Sequence, residues 1–298
     1  MTFCCDHSRD VGESLVGTAP RITNWLLLES NGHWPRQALD CAGLPDPVAA
    51  WLRTQAEQPH TRAALIRRQP RTASDGIAFY VALMRESGSV LYEFQLAQYE
   101  DLLALDLPAV LAESGAYAAH RRTTPLYLVC IHRQRDVACA REGVPVFKAL
   151  ARSVDDGAAW QVSHVGGHRF AANLVVLPQG TFYGRVTVAD VPRIVADVEA
   201  GRLVLDRLRG RAVYDAPVQA AEHFLRTETG RTALDDFRLD AVEQTAEHAW
   251  TVCFTTRNGA QHTICVAAEM PDFAVYKSTG DAEPVRVRQY VQAPCSQT

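Results

Sequence analysis

Short apolar runs recur along the first part of the chain with the lengths of buried strands. The predicted strands are Asn24–Glu29, Ala63–Arg67, Ile77–Met84 and Val90–Leu96. Between and after them, Pro47–Glu57 and Glu100–Glu113 have patterns that favour helix. Strands that alternate with helices indicate an α/β unit.

A second α/β unit is predicted from about Thr124. Its strands are 125–130, 160–163, 173–178 and 181–186, and its helices are 144–152 and 190–200. The charged segment between Cys130 and Val144 is predicted to be a loop. This order of elements is compatible with a thioredoxin-like fold, although it also permits other α/β arrangements.

The remainder of the chain has a different pattern. Pro217–Thr227 predicts a helix, whereas Trp250–Thr256, Gln261–Ala268 and Phe273–Lys277 predict strands joined by tight turns. We therefore expect a small C-terminal α+β appendage. The expected domains are an N-terminal α/β domain at 1–118, a second α/β domain at 119–211 and the appendage at 212–298.

Composition and charge favour a globular protein. Of 298 residues, 47% are hydrophobic and 21% are charged, and the formal net charge of -4 gives no basic excess to attract nucleic acid. The N-terminus lacks the pattern of a secretory signal, and no apolar run has the length of a membrane span. We therefore expect a cytoplasmic protein without nucleic-acid or membrane partners.

The eight cysteines are scattered through the chain, unlike the dense framework of a small secreted domain. In a reducing compartment, most of them should be free thiols. Four are predicted to be small buried residues without chemical function: Cys41, Cys253, Cys265 and Cys295.

Two segments combine thiols and imidazoles at spacings that suit a metal centre. Cys130-x8-Cys139 is followed by Ser163-His164-Val-Gly-Gly-His168, in which the two glycines favour a tight loop over a helix. Two cysteines and two histidines can ligate either zinc or an iron–sulfur cluster. His132 is a rival ligand, but the second Cys–His pair of a Rieske pattern is missing, so we rank it below His164 and His168.

These residues belong to a longer pattern that resembles the sucrase/ferredoxin-like family over roughly residues 124–187. The carrying motifs are Cys130-x8-Cys139 with Arg135-Asp136 between, Trp160-x2-Ser163-His164-x3-His168-Arg-Phe-Ala-x-Asn173, and Leu177-Pro-x-Gly180-x2-Tyr183-Gly-Arg185-Val. The segment Ser8-Arg-Asp-x-Gly12 resembles the N-terminal part of bacterial members. One departure is Ala138, where many bacterial members have a second cysteine beside the ligand position.

The expected fold is therefore two thioredoxin-like α/β units, of which the N-terminal one is degenerate and cluster-free, with the small C-terminal α+β appendage. The resemblance implies that the metal domain is a thioredoxin-like ferredoxin. It also implies a [2Fe-2S] cluster held by Cys130, Cys139, His164 and His168. We expect neutral imidazoles to raise the reduction potential above that of all-cysteine ferredoxins and to allow proton coupling. Five residues are candidates for tuning the cluster through hydrogen bonds: Arg135, Asp136, Ser163, Arg169 and Asn173.

The expected function is electron transfer between redox proteins that the sequence does not identify. Whether the protein also has an enzyme activity stays open, but no paired-carboxylate motif supports sucrose hydrolysis. The alternatives are a structural zinc site made from the same four residues, and a thiol redox enzyme on a thioredoxin-like scaffold. The second lacks the expected Cys-x-x-Cys motif.

Overall fold

The computed structural model describes residues 2–68 and 76–295, which form two compact units. The sheet unit comprises the described parts of Ile22–Val165 and Leu174–Gly180. The terminal unit comprises the described parts of Met1–Arg21, Gly166–Asn173 and Thr181–Thr298. Both units are therefore assembled from segments that are separate in sequence. The three domains at 1–118, 119–211 and 212–298 stay a prediction.

Six α-helices lie in the described part of the chain: α1 (Cys4–Asp10), α2 (Asp46–Ala56), α3 (Leu107–Leu111), α4 (Val137–Leu150), α5 (Val191–Glu199) and α6 (Ala216–Thr229). Among these residues, no helix combines the length and the apolar composition needed to cross a bilayer. The first seven strands are β1 (Asn24–Glu29), β2 (Thr61–Arg67), β3 (Ile77–Leu83), β4 (Val90–Leu96), β5 (Arg121–Arg122), β6 (Leu126–Cys130) and β7 (Ala159–Val162). The remaining strands within the described ranges are β8 (Leu174–Leu177), β9 (Thr181–Tyr183), β10 (Leu208–Arg211), β11 (Phe237–Ala246), β12 (Ala249–Thr256), β13 (Gln261–Glu269) and β14 (Gln289–Ala293).

The sheet unit contains the same arrangement twice, in a first repeat that starts with β1 and a second repeat that starts with β6. Its strands lie in the order β8-β6-β7-β2-β1-β3-β4-β5. In one half, β1 pairs parallel with β2 and antiparallel with β3, and α2 connects the parallel pair. In the other half, β6 pairs parallel with β7 and antiparallel with β8, and α4 makes the connection. The α/β fold with two related units, expected from the sequence, is confirmed.

The two halves are joined within one continuous sheet. β2 and β7 pair antiparallel, with Ile66 opposite Val162. The first strand of each half is an apolar run that is buried along nearly its whole length, as expected for central strands covered on both faces. The sequence predicts these strands because the apolar runs are too short for most helices, which usually need at least about 10 residues.

Helix α4 begins seven residues earlier than predicted, at Val137 instead of Val144. The side chain of Asp136 caps it by accepting a hydrogen bond from the amide of Ala138 at 2.9 Å. Pro145 lies inside the helix. The residues before Val144 were predicted to be a loop because the segment is charged, but with the Asp136 cap they form the first turns of the helix.

The predicted helical run Glu100–Glu113 is divided into two short pieces. A 3-10 helix covers Tyr99–Ala104, and α3 follows after Asp106, whose side chain accepts a hydrogen bond from Ala109. Pro108 lies in the first turn of α3, where proline is well tolerated. The helical preference is therefore confirmed, but not as one continuous helix.

The terminal unit contains a four-stranded antiparallel sheet in the order β11-β12-β13-β14, against which α6 packs. Its core includes Leu225 from the helix and Val252, Phe254 and Ile264 from the sheet. The expected helix and antiparallel strands of the C-terminal appendage are thus present. A separate antiparallel pair, β9 with β10, belongs to the same unit.

Two features of this C-terminal sheet differ from the prediction. Phe273–Lys277 is not a strand but contributes one isolated bridge, Val275 to Val285, and the strand paired with β13 is β14. Strand β11 was not predicted because most of its residues are exposed on both faces. Without a buried face, an edge strand has no alternating hydrophobic pattern to reveal it.

Cys265 and Cys295 form a disulfide, so the expectation that both are free thiols is wrong. Cys265 lies opposite Ala293 in the β13–β14 pair, which places Cys295 two residues beyond its cross-strand partner. The pairing depends on β14, a strand that the sequence pattern did not reveal. Disulfides persist mainly in oxidising compartments, so the cysteine pattern no longer supports a reducing one.

Candidate metal centre

Cys130 is the last residue of β6, and its side chain is buried. It lies beside Val162 in the parallel pair of β6 with β7. The chain leaves the sheet directly after it, at a place where α/β proteins commonly present functional groups. The predicted position of Cys130 at the end of an apolar strand is confirmed.

Cys139 lies in the first turn of α4, not in the predicted loop, and it is also buried. Its amide donates to the carbonyl of Asp136 at 3.2 Å. The helix approaches β6 closely because Gly143 has no side chain, and a Cβ added there would lie 2.2 Å from the carbonyl oxygen of Cys130. This close packing brings the start of α4 next to the end of β6.

His164 follows β7 and is held by the neighbouring strand β2. The amide of Ser163 donates to the carbonyl of Leu65 at 2.8 Å, and the amide of Leu65 donates to Oγ of Ser163 at 3.1 Å. In addition, Nη1 of Arg62 donates to the backbone carbonyl of His164 at 3.1 Å. The first repeat therefore fixes the backbone from which this imidazole projects.

The three side chains converge. One ligand atom from each of Cys130, Cys139 and His164 lies within 4.8 Å of the others. Both thiols are buried and the imidazole is half-buried. Two thiols with one imidazole are a donor set for zinc or for an iron–sulfur cluster, and they do not suit magnesium or calcium.

The environment favours the thiolate of Cys130. A hydrogen bond with Cys139 and the nearby His164 lower the pKa of the Cys130 thiol well below its usual value, although burial opposes this change. Metals and clusters bind the thiolate and not the thiol. The local chemistry is therefore that of a ligand and differs from that of an inert packed cysteine.

His132, the rival ligand, is held by a backbone contact through one of its ring nitrogens. It is buried, and its Nε2 lies 2.7 Å from the carbonyl oxygen of Pro35, so a backbone group fixes the ring. Burial lowers the pKa of His132, which favours the neutral imidazole. These contacts agree with its lower rank as a ligand.

His168 lies in the terminal unit, at the start of a 3-10 helix that spans His168–Phe170. Gly166 and Gly167 both have positive φ, and the preceding loop is therefore of the tight glycine type predicted from the sequence. His168 is buried, and its Nε2 lies 2.9 Å from Oγ of Ser278. Ser278 is 110 residues away in sequence, and no local spacing could have identified it.

The residues proposed to tune the site also have structural roles. Asp136 caps α4, and Ser163 bonds to the backbone of β2. Arg169 donates to the buried carboxylate of Glu13 at 2.7 Å. Asn173 donates to the carbonyl of Gly167 at 2.9 Å. These side chains hold the backbone around the candidate ligands, and tuning by any of them stays a prediction.

Comparison with known proteins identifies the class of this protein. The sequence model of the sucrase/ferredoxin-like family matches residues 15–210. The chain belongs to this family, as its motifs had suggested.

Three curated relatives carry the name "Altered inheritance of mitochondria protein 32". The protein from Clavispora lusitaniae is 28% identical over 46% of this chain and 51% of its own length. Those from Meyerozyma guilliermondii and Debaryomyces hansenii are 35% and 34% identical over 30% and 28% of this chain. The chain matches at most about half the length of these relatives, 51% in the first case and 35% in the other two.

Two solved structures are similar to part of the chain. Both are structures of the thioredoxin-like [2Fe-2S] ferredoxin from Aquifex aeolicus, one of them of a single-substitution variant. The variant is 21% identical and covers 28% of this chain and 97% of its own length, with a TM-score of 0.26. The second is 23% identical and covers 29% of this chain and 91% of its own length, with a TM-score of 0.25.

Proposed function

We propose that this protein binds a [2Fe-2S] cluster through Cys130, Cys139, His164 and His168 and transfers electrons. The observation that carries the proposal is the convergence of two buried thiols and one imidazole within 4.8 Å in a chain of the sucrase/ferredoxin-like family. His168 is included as the fourth ligand because of its His-x3-His spacing from His164. The lowered pKa of the Cys130 thiol favours the thiolate, which is the form that such a cluster requires.

When bound, the cluster would accept and release single electrons. The protein's part is to hold the ligands, exclude water from the thiolates and set the local charge. Replacing two thiolates by neutral imidazoles removes negative charge, and mixed His/Cys centres have potentials from about -150 mV upward, against roughly -400 mV for plant-type ferredoxins. A potential above the all-cysteine range is therefore expected.

Thiol–disulfide exchange is less well supported as the function. The side chains of Cys130 and Cys139 are each only 1% exposed, and a disulfide substrate needs access to the attacking sulfur. The same burial suits metal ligands, because they do not need to reach a disulfide substrate. A structural zinc site uses the same donors and is the outcome that the following experiment must distinguish.

Metal analysis of the full chain, purified without oxygen, tests the proposal. We expect a coloured protein with about two irons and two acid-labile sulfides per chain, and with no stoichiometric zinc. Cys130→Ser should lose most of the iron because a ligand is missing. Cys41→Ser is the matched control, since Cys41 is also buried but lies in the first repeat against Ser30, with the two side-chain atoms 3.5 Å apart.

A colourless protein that contains one zinc per chain would contradict the cluster. Equal iron loss in the Cys41 and Cys130 variants would also contradict it, because a general folding defect would then explain the result. Proton coupling stays a further prediction of the proposal. A reduction potential that does not change between neutral and alkaline pH would exclude coupling.

A further inference from the structure

A basic pocket lies in the sheet unit, and His164 is one of its lining residues. Its volume is about 670 Å3, which is within the range of small-molecule sites. Both repeats contribute to its walls. The segment after β1, the last turn of α2 and the start of β2 line one side, and the segments after β6 and β7 line the other. The charged and imidazole groups that matter here are Arg36, Arg53, Arg62, Arg135, Asp40 and His164.

The pocket is lined by more basic than acidic residues. Asp40 is its one acidic lining residue in the described part of the chain, and it is already paired with Arg53 at 2.6 Å. The guanidinium groups of Arg36, Arg62 and Arg135 form no ion pair with any carboxylate of residues 2–68 and 76–295. A chain with a net charge of -4 thus concentrates three arginines without a carboxylate partner in one concave site.

Arg62 is the most constrained of the three. Its guanidinium carbon lies 5.9 Å from the centroid of the Trp25 ring, and Nη1 donates to the carbonyl of His164. Arg62 is half-buried, so water is partly excluded from its charge. Placing a charge where water is partly excluded costs free energy, and an anionic ligand would offset part of that cost.

Arg36 and Arg135 lie at corresponding places in the two repeats. Arg36 follows β1 and Arg135 follows β6, each in the segment that leads from the first strand to the connecting helix. Planar guanidinium groups recognise carboxylates and phosphates through paired hydrogen bonds. Three such groups around one cavity suit a ligand with more than one oxyanion group.

We propose that this pocket binds a small molecule carrying two or more oxyanion groups, held by Arg36, Arg62 and Arg135. The inference goes beyond the proposed function, since it requires only these arginines and not the cluster. It also assigns a role to the first repeat, which supplies Arg36 and Arg62 to a site beside a residue of the second. The shared chemistry of the ligand is phosphate or carboxylate.

Calorimetric titration of the purified full chain tests this proposal with two probes, pyrophosphate and citrate, at constant ionic strength. We expect saturable binding of at least one probe to one site. Binding of pyrophosphate alone identifies a phosphate ligand, and binding of citrate alone identifies a carboxylate ligand. Failure of both probes to bind would overturn the proposal, whatever metal the protein contains.

Variants then locate the site. Arg135→Ala and Arg36→Ala should each weaken binding by at least about tenfold, which is the loss expected for a charge-assisted hydrogen bond. Arg133→Ala is the matched control, because Arg133 is exposed, lies two residues from Arg135 and does not line this pocket. It should change the affinity by less than about twofold. An equal loss in the Arg133 and Arg135 variants would show diffuse attraction to a basic surface and overturn the assignment.

Discussion

Gly143 determines how closely helix α4 can approach strand β6. The 2.2 Å separation between a built Cβ and the carbonyl oxygen of Cys130 is far below a normal contact. No side chain fits there without movement of the helix, which carries Cys139. One hydrogen atom in place of a methyl group thus allows the two candidate thiols to meet.

Replacing this glycine should therefore damage both stability and the site. Gly143→Ala is expected to cost about 1–3 kcal/mol by overpacking, although alanine is otherwise the better helix former. Chemical denaturation measures the change, and the iron content of the purified variant should fall with it. Gly115→Ala is the control, since a Cβ at that position meets nothing within 4 Å. A Gly143 variant as stable as the parent would contradict this account of the packing.

The helix α4 also shows what the sequence could and could not reveal. The end of β6 at Cys130 was predictable because a buried apolar run stops at a charged segment. The start of α4 was not, because its first residues belong to a charged segment that resembles a loop. Cys139 was therefore assigned to a loop, whereas it lies in the first turn of a helix; its role as a ligand stays a prediction.

Asp136 should matter through this helix start. Asp136→Ala removes the side-chain oxygen that accepts from Ala138, which typically costs about 0.5–2 kcal/mol, whereas Asp136→Asn keeps an acceptor. We expect the alanine variant to unfold at lower denaturant concentration and to hold less iron than the asparagine variant. Asp106→Ala removes the corresponding cap of α3 and should reduce stability without a selective loss of iron. Equal iron content in all three variants would show that the cap does not position Cys139.

At the level of the complete chain, the first repeat supports the candidate site of the second repeat. The contacts of β2 with the segment after β7 hold His164, and they also place Arg62 beside it. Such contacts join residues about 100 positions apart in sequence. Spacing motifs cannot reveal them, because they arise only when two repeats share one sheet.

The C-terminal sheet shows the same limit in another form. Helix α6 and the strands β12 and β13 follow clear hydrophobic patterns and were predicted. The edge strands β11 and β14 have weak patterns, and the disulfide between Cys265 and Cys295 depends on one of them. Local patterns identify elements with a buried face, whereas pairings at the edges depend on tertiary contacts.

The central claim is that two histidines and two cysteines hold a [2Fe-2S] cluster in this chain. Pulsed EPR of the dithionite-reduced chain of 298 residues tests it most directly, with His164→Cys and His168→Cys variants for assignment. We expect the signal of a reduced [2Fe-2S] cluster with strong coupling to two histidine nitrogens, one of which is lost in each variant. A protein with no such signal, or a signal without strongly coupled nitrogen, would contradict the account.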